Sequence, residues 1–307
     1  MDLLALKGAT REEILALLAL AAQFVDANGQ PATPASFRTV LADRSVALMF
    51  FEPSTRTRVS FELAATRLGA HPVVVNSLGT SVEKGESILD TCQNLEAMGV
   101  DAFVVRHPER SLPFLLADHI DAPIINAGNG AGEHPTQALL DAFTLQRAFN
   151  RETFEGLTVA IIGDVVHSRV ARSNVHALSQ LGASVVLAGP SHLLPRDDEE
   201  WPAKRVTNRA EALASANAVI MLRIQRERMV ENVDVDRYIR DWSLDDAVVE
   251  QEMLPDAVVM HPGPVIRGVE LTSSVADGPR SLILRQAGNG VAVRQAVLLH
   301  SLGILRS

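Results

Sequence analysis

Val46-Ala-Leu-Met-Phe-Phe51, Ser54-Thr-Arg-Thr-Arg58 and Phe61-Glu-Leu-Ala-Ala-Thr-Arg-Leu68 follow one another closely in the chain. The first run is short, continuous and apolar, the pattern of a strand buried on both faces of a parallel sheet. The third reads as a helix closed by Gly69. The hydroxyls and guanidiniums between them therefore fall where a strand ends and a helix begins. Backbone N–H groups without intrahelical partners and the helix dipole favour an anion there. Ser54, Thr55 and Thr57 add hydroxyl donors, and Arg56 adds a forked cation suited to phosphate oxygens. Capping accounts for one such hydroxyl, not for several beside Arg56 and Arg58. No Gly-x4-Gly-Lys-Ser/Thr loop is present, so a phosphate is expected here without a nucleotide loop.

Working outward, apolar strand-like runs alternate with helix-like segments, which predicts an α/β architecture with parallel sheets. Strands are expected at 45–51, 72–76, 101–105, 123–126, 157–162, 184–188, 217–222 and 257–260. Helices are expected at 55–68, 87–98, 109–118, 135–149, 169–181, 208–215 and 286–301. An earlier helix starts at the capping box Thr10-Arg-Glu-Glu13 and runs to about Asp26. The Gly-rich loop Asn126–Gly132 marks a break, and Ser273–Arg280 reads as loop-rich. The chain is therefore expected to form two domains, residues 1–131 and 132–285, each with a central parallel β-sheet flanked by helices. A last helix follows in 286–307.

A chain of 307 residues has room for two such domains. Its hydrophobic fraction of 47% is ordinary for a soluble protein. The net charge of −9 argues against nucleic acid and anionic membrane as partners, though not against a small anion held in a local cationic cleft. A single cysteine, Cys92, excludes an internal disulfide and suits a reducing, cytoplasmic setting. The opening Met-Asp lacks a basic n-region, which argues against a signal peptide, and the apolar run Ile14–Val25 is too short to span a bilayer. No metal-ligand spacing is present, and no cofactor is expected.

Further polar groups collect where strands should end, the usual place for ligands in open α/β sheets. Arg106 follows the strand at 101–105 and is placed to meet the same anion as Arg56. His134 precedes Pro135 at the start of a helix, so its ring can project from the helix end, and Gln137 lies one turn on. Cations and the positive helix end should lower the His134 pKa and keep it neutral. Arg169 follows Leu157–Asp164, a strand and glycine turn that lacks the Gly-x-Gly-x-x-Gly of a dinucleotide site. Arg223 and Gln225 alternate after the strand at 217–222, a pair suited to a carboxylate. His261-Pro262-Gly263-Pro264 forms a rigid turn whose Gly-Pro bond is open to the cis form and whose carbonyls can face an amine. His261 itself reads as structural. Ser81-Val-Glu-Lys84-Gly-Glu86 reads as a solvated loop, though ligand-closing elements also sit in such loops.

Together these pieces resemble the aspartate/ornithine carbamoyltransferase family over nearly the whole chain. Phe51-Glu-Pro-Ser-Thr-Arg-Thr-Arg-Val-Ser-Phe-Glu62 and His134-Pro-Thr-Gln137 are similar to its shared carbamoyl phosphate motifs. Met221-Leu-Arg-Ile-Gln-Arg-Glu-Arg228 and Gly288-Asn-Gly-Val-Ala-Val-Arg-Gln-Ala296 resemble its aspartate-using members. The Asp-x-x-x-Ser-Met-Gly element and His-Cys-Leu-Pro turn of the ornithine-using members are absent. An arginine-lined acceptor pocket would also repel ornithine's cationic side chain.

The resemblance implies carbamoyl transfer from carbamoyl phosphate to the α-amine of L-aspartate, with 1–131 binding carbamoyl phosphate and 132–285 binding aspartate. It implies that Ser54, Thr55, Arg56 and Thr57 hold the phosphate. Thr55, Arg106 and His134 contact the carbonyl oxygen, and Gln137 the carbamoyl nitrogen. Arg169, Arg223 and Gln225 take the aspartate carboxylates, and backbone near Pro262, Gly263 and Pro264 meets the nitrogen. It further implies that Ser81 and Lys84 reach a neighbouring subunit's site in a homotrimer, and that the last helix returns to the first domain. Regulatory chains or dihydroorotase are conceivable further partners. A different amino acid acceptor, or a non-catalytic scaffold, are the rival readings. The chain has Gly263 where some relatives carry Leu, and Ile266 where some carry a polar residue.

Overall fold

The computed structural model describes residues 1–76, 85–196, 201–225 and 234–304. The fold comprises two compact units, one of Met1–Phe143 with Ala287–Ser307 and one of Thr144–Gln286.

The first unit contains α1 (Arg11–Ala22), β1 (Ser45–Phe50), α2 (Thr55–Arg67), β2 (His71–Asn76), α3 (Ile88–Ala97), β3 (Ala102–His107), α4 (Leu112–Ala117), β4 (Ile124–Asn129) and most of α5 (Pro135–Phe149). The capping box forms as expected. Thr10 Oγ1 accepts from the Glu13 N–H at 3.2 Å, and Glu13 Oε2 accepts from the Thr10 N–H at 2.8 Å. The strands pair in parallel in the order β2-β1-β3-β4. On one face Ala47, Met49, Phe103 and Val105 pack against Cys92, Leu112 and Leu116. Apolar side chains point to both faces because helices cover both, which is why the strands read as unbroken apolar runs. The chain leaves β1 for one edge and β3 for the other, so the sheet's topological switch point lies between the carboxyl ends of β1 and β3.

The second unit contains β5 (Thr158–Ile162), α6 (Arg169–Gln180), β6 (Ser184–Ala188), β7 (Lys204–Val206), α7 (Arg209–Leu213), β8 (Ala218–Met221), α8 (Val235–Trp242), α9 (Asp246–Gln251), β9 (Val258–Met260) and α10 (Ser273–Ala276). The final helix α11 (Ile283–Ser301) begins here and belongs to the first unit from Ala287 onward. The parallel order β7-β6-β5-β8-β9 places the switch point between β5 and β8. Ala160, Ile162, Val219 and Met221 pack with Tyr238, Trp242 and Leu271 in its core.

The sequence reading omits β7, α8, α9 and α10. β7 is a short edge strand, Lys204-Arg205-Val206, with no apolar run to announce it. The signals for α8 and α9 were present. Asp234 caps α8 through the Arg237 N–H, Tyr238 and Trp242 lie one turn apart and buried, and Asp245 caps α9 through Val248. α10 is a single turn within the stretch expected to be loop-rich. The unit boundary falls inside α5 rather than in the Gly-rich loop. That loop is part of the first unit's interior. The Asn126 amide donates to Leu4 O at 2.8 Å, and Glu133 accepts from the Leu6 and Lys7 N–H groups at 2.7 and 3.1 Å. Among the described residues, no helix is long and apolar enough to cross a membrane.

Candidate active site

In the first unit, β1 ends at Phe50 and α2 starts at Thr55, as the opening motif requires. Ser54 is the extended N-cap of α2, but its side chain makes no capping bond. Its hydroxyl is thus not consumed by the helix. Thr55 and Arg56 are exposed in the first turn, while Thr57 is buried. Thr57 Oγ1 lies 3.4 Å from His134 Nε2, at the mouth of α5. Two helix N-termini therefore meet, and neither carries an acidic residue in its first turn. Both present partial positive charge to the same space. The Gln137 N–H donates to His134 O at 3.0 Å, which fixes the start of α5.

Arg106 pairs in register with Phe50 across β1 and β3, at the switch point. Its Nη1 donates to Ala127 O at 3.2 Å, and its Nε lies 3.5 Å from Glu52 Oε2. Glu52 belongs to the opening motif but carried no role in the sequence reading. The structure makes it the carboxylate partner that holds the Arg106 guanidinium at the sheet edge. Ser54, Thr55, Arg56, Thr57, Arg106, His134 and Gln137 thus share one edge of the first sheet. Ser81 and Lys84 lie outside the described residues.

In the second unit, Gly163 turns the chain out of β5 with φ of 130°. A Cβ there would sit 2.7 Å from Leu222 O, so only glycine lets β5 and the exit of β8 approach this closely. Asp164, fully buried, joins the two exits. Its Oδ1 is 2.7 Å from His167 Nδ1, and its Oδ2 accepts the Gln225 N–H at 3.1 Å. Gln225 Nε2 in turn donates to His167 O at 3.0 Å. Arg169 is the first residue of α6 and is buried, behind a Ser168 cap that accepts the Ala171 N–H at 3.1 Å. Arg223 and Gln225 are half-buried beyond β8. Arg169, Arg223 and Gln225 therefore gather at the β5/β8 switch point.

Beyond β9, the Gly263–Pro264 bond is cis. His261 is structural in geometry: its N–H donates to Gln286 Oε1 at 2.9 Å and its Nδ1 accepts the Gly263 N–H at 2.8 Å. Pro262, Gly263 and Pro264 are thereby held in one turn. Buried Glu270 accepts the Ile266 N–H at 2.8 Å. Burial raises its pKa above the ordinary carboxyl value, against backbone donors from Ile266 and Ile224 and the charge of Arg223. Asp164, His167 and Glu270 were missed in the sequence. Asp164 and His167 lie three residues apart, but their shared partner Gln225 comes from beyond β8, and Ile224 and Arg223 reach Glu270 only in the folded unit, so no local pattern marks them.

Each unit, taken by itself, gathers guanidiniums and amide donors at the carboxyl edge of a parallel sheet. This defines the class: a two-domain α/β enzyme for small anionic substrates. Residues 1–147 match the aspartate/ornithine carbamoyltransferase carbamoyl-P binding domain, and residues 155–301 match the Asp/Orn binding domain of that family. The aspartate carbamoyltransferase catalytic subunit of Koribacter versatilis is 48% identical over 301 residues, covering 97% of this chain and 95% of its own length. The aspartate transcarbamoylase of Trypanosoma cruzi, solved with carbamoyl aspartate and phosphate, superposes with a TM-score of 0.83 at 30% identity, covering 97% and 94% of the two chains. The ornithine carbamoyltransferase of Pyrococcus furiosus gives 0.87 at 30% identity, covering 99% and 98%. The chain belongs to the aspartate/ornithine carbamoyltransferase family. It is a carbamoyltransferase, and the aspartate and ornithine branches share its fold.

Proposed function

We propose that the chain transfers the carbamoyl group of carbamoyl phosphate to the α-amine of L-aspartate, giving N-carbamoyl-L-aspartate and phosphate for pyrimidine biosynthesis. The observation that carries the reading is the acceptor edge, where buried Arg169 stands with Arg223 and with Gln225, itself tied to Asp164. Two cations and an amide donor suit two carboxylates and oppose the ammonium of ornithine. The 48% identity to a curated aspartate carbamoyltransferase supports the same choice.

In this reading the first unit binds carbamoyl phosphate and the second binds aspartate. Ser54, Thr55, Arg56 and Thr57 hold the phosphate, and Thr55, Arg106 and His134 face the carbonyl oxygen as it gains charge. Gln137 meets the carbamoyl nitrogen. Backbone carbonyls near Pro262, Gly263 and Pro264 meet the carbamoyl or amine nitrogen. The amine attacks the carbonyl carbon, the new C–N bond forms, and the bond to phosphate oxygen breaks. The departing phosphate accepts the amine proton. Orienting both anions contributes up to ~7–11 kcal/mol to lowering the barrier, and each donor aimed at the oxyanion adds ~3 kcal/mol.

The working assembly is a homotrimer in which Ser81 and Lys84 serve a neighbouring subunit's site. Exposed Val59 and Leu63, one turn apart on α2, support an association surface on that helix. Further association with regulatory chains or dihydroorotase fits relatives called catalytic subunits. The setting is cytoplasmic.

A competition assay tests the reaction. With carbamoyl phosphate and equal L-aspartate and L-ornithine, carbamoyl-aspartate is the expected product. Citrulline would shift the acceptor, and no phosphate release with either would make the chain a non-catalytic relative.

A further inference from the structure

The run Gly288-Asn-Gly-Val-Ala-Val-Arg-Gln-Ala296 in α11 has no role in the reaction as derived above. Arg294 within it is only 3% exposed, although a guanidinium is costly to bury. Its Nη1 donates to Gly290 O at 3.3 Å, and its Nη2 reaches Thr136 Oγ1 at 3.5 Å. The guanidinium carbon lies 5.1 Å from the centre of the Phe61 ring. A Cβ at position 290 would sit 2.6 Å from Nη1, so the glycine leaves room for this cation. Burial lowers the Arg294 pKa, and the negative charge of Asp141 works against that loss. Phe61 belongs to α2, and Thr136 and Asp141 belong to α5. The cation therefore sits behind both helices whose N-termini meet at Thr57 and His134.

Asp141 is fully buried, and its Oδ1 accepts from Gln137 Nε2 at 2.9 Å. An ionised carboxylate, favoured here by the positive charge of Arg294, offers acceptors only. It thus holds the Gln137 amide by its NH2 end, which fixes the assignment of nitrogen and oxygen through the hydrogen-bond network. The carbonyl oxygen Oε1 is left as the end available to a ligand. That oxygen pairs with a carbamoyl NH2. The methyl of an acetyl group, of similar size, would leave it unpaired.

We propose that Asp141 is a specificity-determining positioning residue that turns the carbonyl oxygen of Gln137 toward the substrate, so that the site selects a carbamoyl phosphate over an acyl phosphate. The proposal rests on the placement of Gln137 at the carbamoyl nitrogen. Dissociation constants for carbamoyl phosphate, acetyl phosphate and inorganic phosphate, measured by competition, test it in the wild type, Asp141→Asn, Asp141→Ser and Gln137→Ala. In the wild type, acetyl phosphate is expected to bind at least about tenfold more weakly than carbamoyl phosphate, the cost of one unpaired buried acceptor. In Asp141→Asn the amide can turn either way, so this ratio falls toward one while inorganic phosphate binds as before. Asp141→Ser is expected to do the same. An unchanged ratio in either folded variant overturns the proposal, as does parallel weakening of all three ligands, which marks a packing role. A wild type that does not discriminate overturns it whether or not a variant folds. Failure of the underlying reading is separate: it shows as no carbamoyl-aspartate from the wild type, or as an unchanged ratio in active Gln137→Ala.

Discussion

Arg56 stands exposed in the first turn of α2, with no acidic residue in that turn to neutralise it. Truncating it removes little packing, so Arg56→Ala is expected to leave thermal unfolding within about 2 °C of the wild type, as for most exposed sites. Its kcat/KM for carbamoyl phosphate is expected to fall at least ~10²–10³-fold, the range for a lost transition-state donor. Steady-state kinetics beside a melting curve check both, and an unchanged rate removes Arg56 from the phosphate site. Cys92 gives a second test. Buried against Met49, it has its thiol pushed up to about 12 by burial, with Glu96 adding to the effect. A raised folded pKa contributes stability that is complete below the unfolded value near 9 and is lost as pH rises from there toward about 12. Alkylation by N-ethylmaleimide at pH 8 is therefore expected only after denaturation, and Cys92→Ala should lessen the loss of stability at alkaline pH. Rapid alkylation of the native protein contradicts this. At this scale the sequence was legible where several like groups cluster at a strand end, as at Ser54–Thr57. It was silent on Glu52, Asp141, Asp164 and Glu270, because a lone carboxylate acquires meaning only from partners that folding supplies.

Among the elements, the buried central strands β1, β5 and β8 were the most readable, because helices on both faces force unbroken apolar runs. β7 escaped because its residues are polar and few, and α10 because one turn has too short a period to detect. The Gly-rich loop forms a buried, hydrogen-bonded turn inside the first unit, a role that its glycines alone do not announce. Capping chemistry was legible at α1, and it can be tested there. Thr10→Ala removes the hydroxyl that accepts the Glu13 N–H. It is expected to cost about 1 kcal/mol, a fall in melting temperature of roughly 2–4 °C. Activity should stay unchanged, since Thr10 lies in neither substrate edge. Calorimetry of the variant measures the first, and a lowered kcat would show that α1 reaches the site.

For the whole molecule, the proposed sharing of sites between subunits makes a prediction no single chain can satisfy. Lys84→Ala and Arg56→Ala chains are each expected to be inactive alone. Mixed, with exchange verified by mass, they should recover part of the wild-type rate, because some sites then combine an intact Arg56 with a neighbour's intact Lys84. No recovery would argue against shared sites. The central proposal is that the edge of the first unit holds the phosphate and the edge of the second holds the carboxylates of the substrates. Titration calorimetry with N-(phosphonacetyl)-L-aspartic acid, which joins a phosphonate to aspartate, tests it most directly. One equivalent is expected to bind per chain, with affinity falling at least about 100-fold in Arg56→Ala and, separately, in Arg223→Ala, the loss expected for a charge-assisted pair with its partner removed. Binding that either variant leaves intact would contradict the claim.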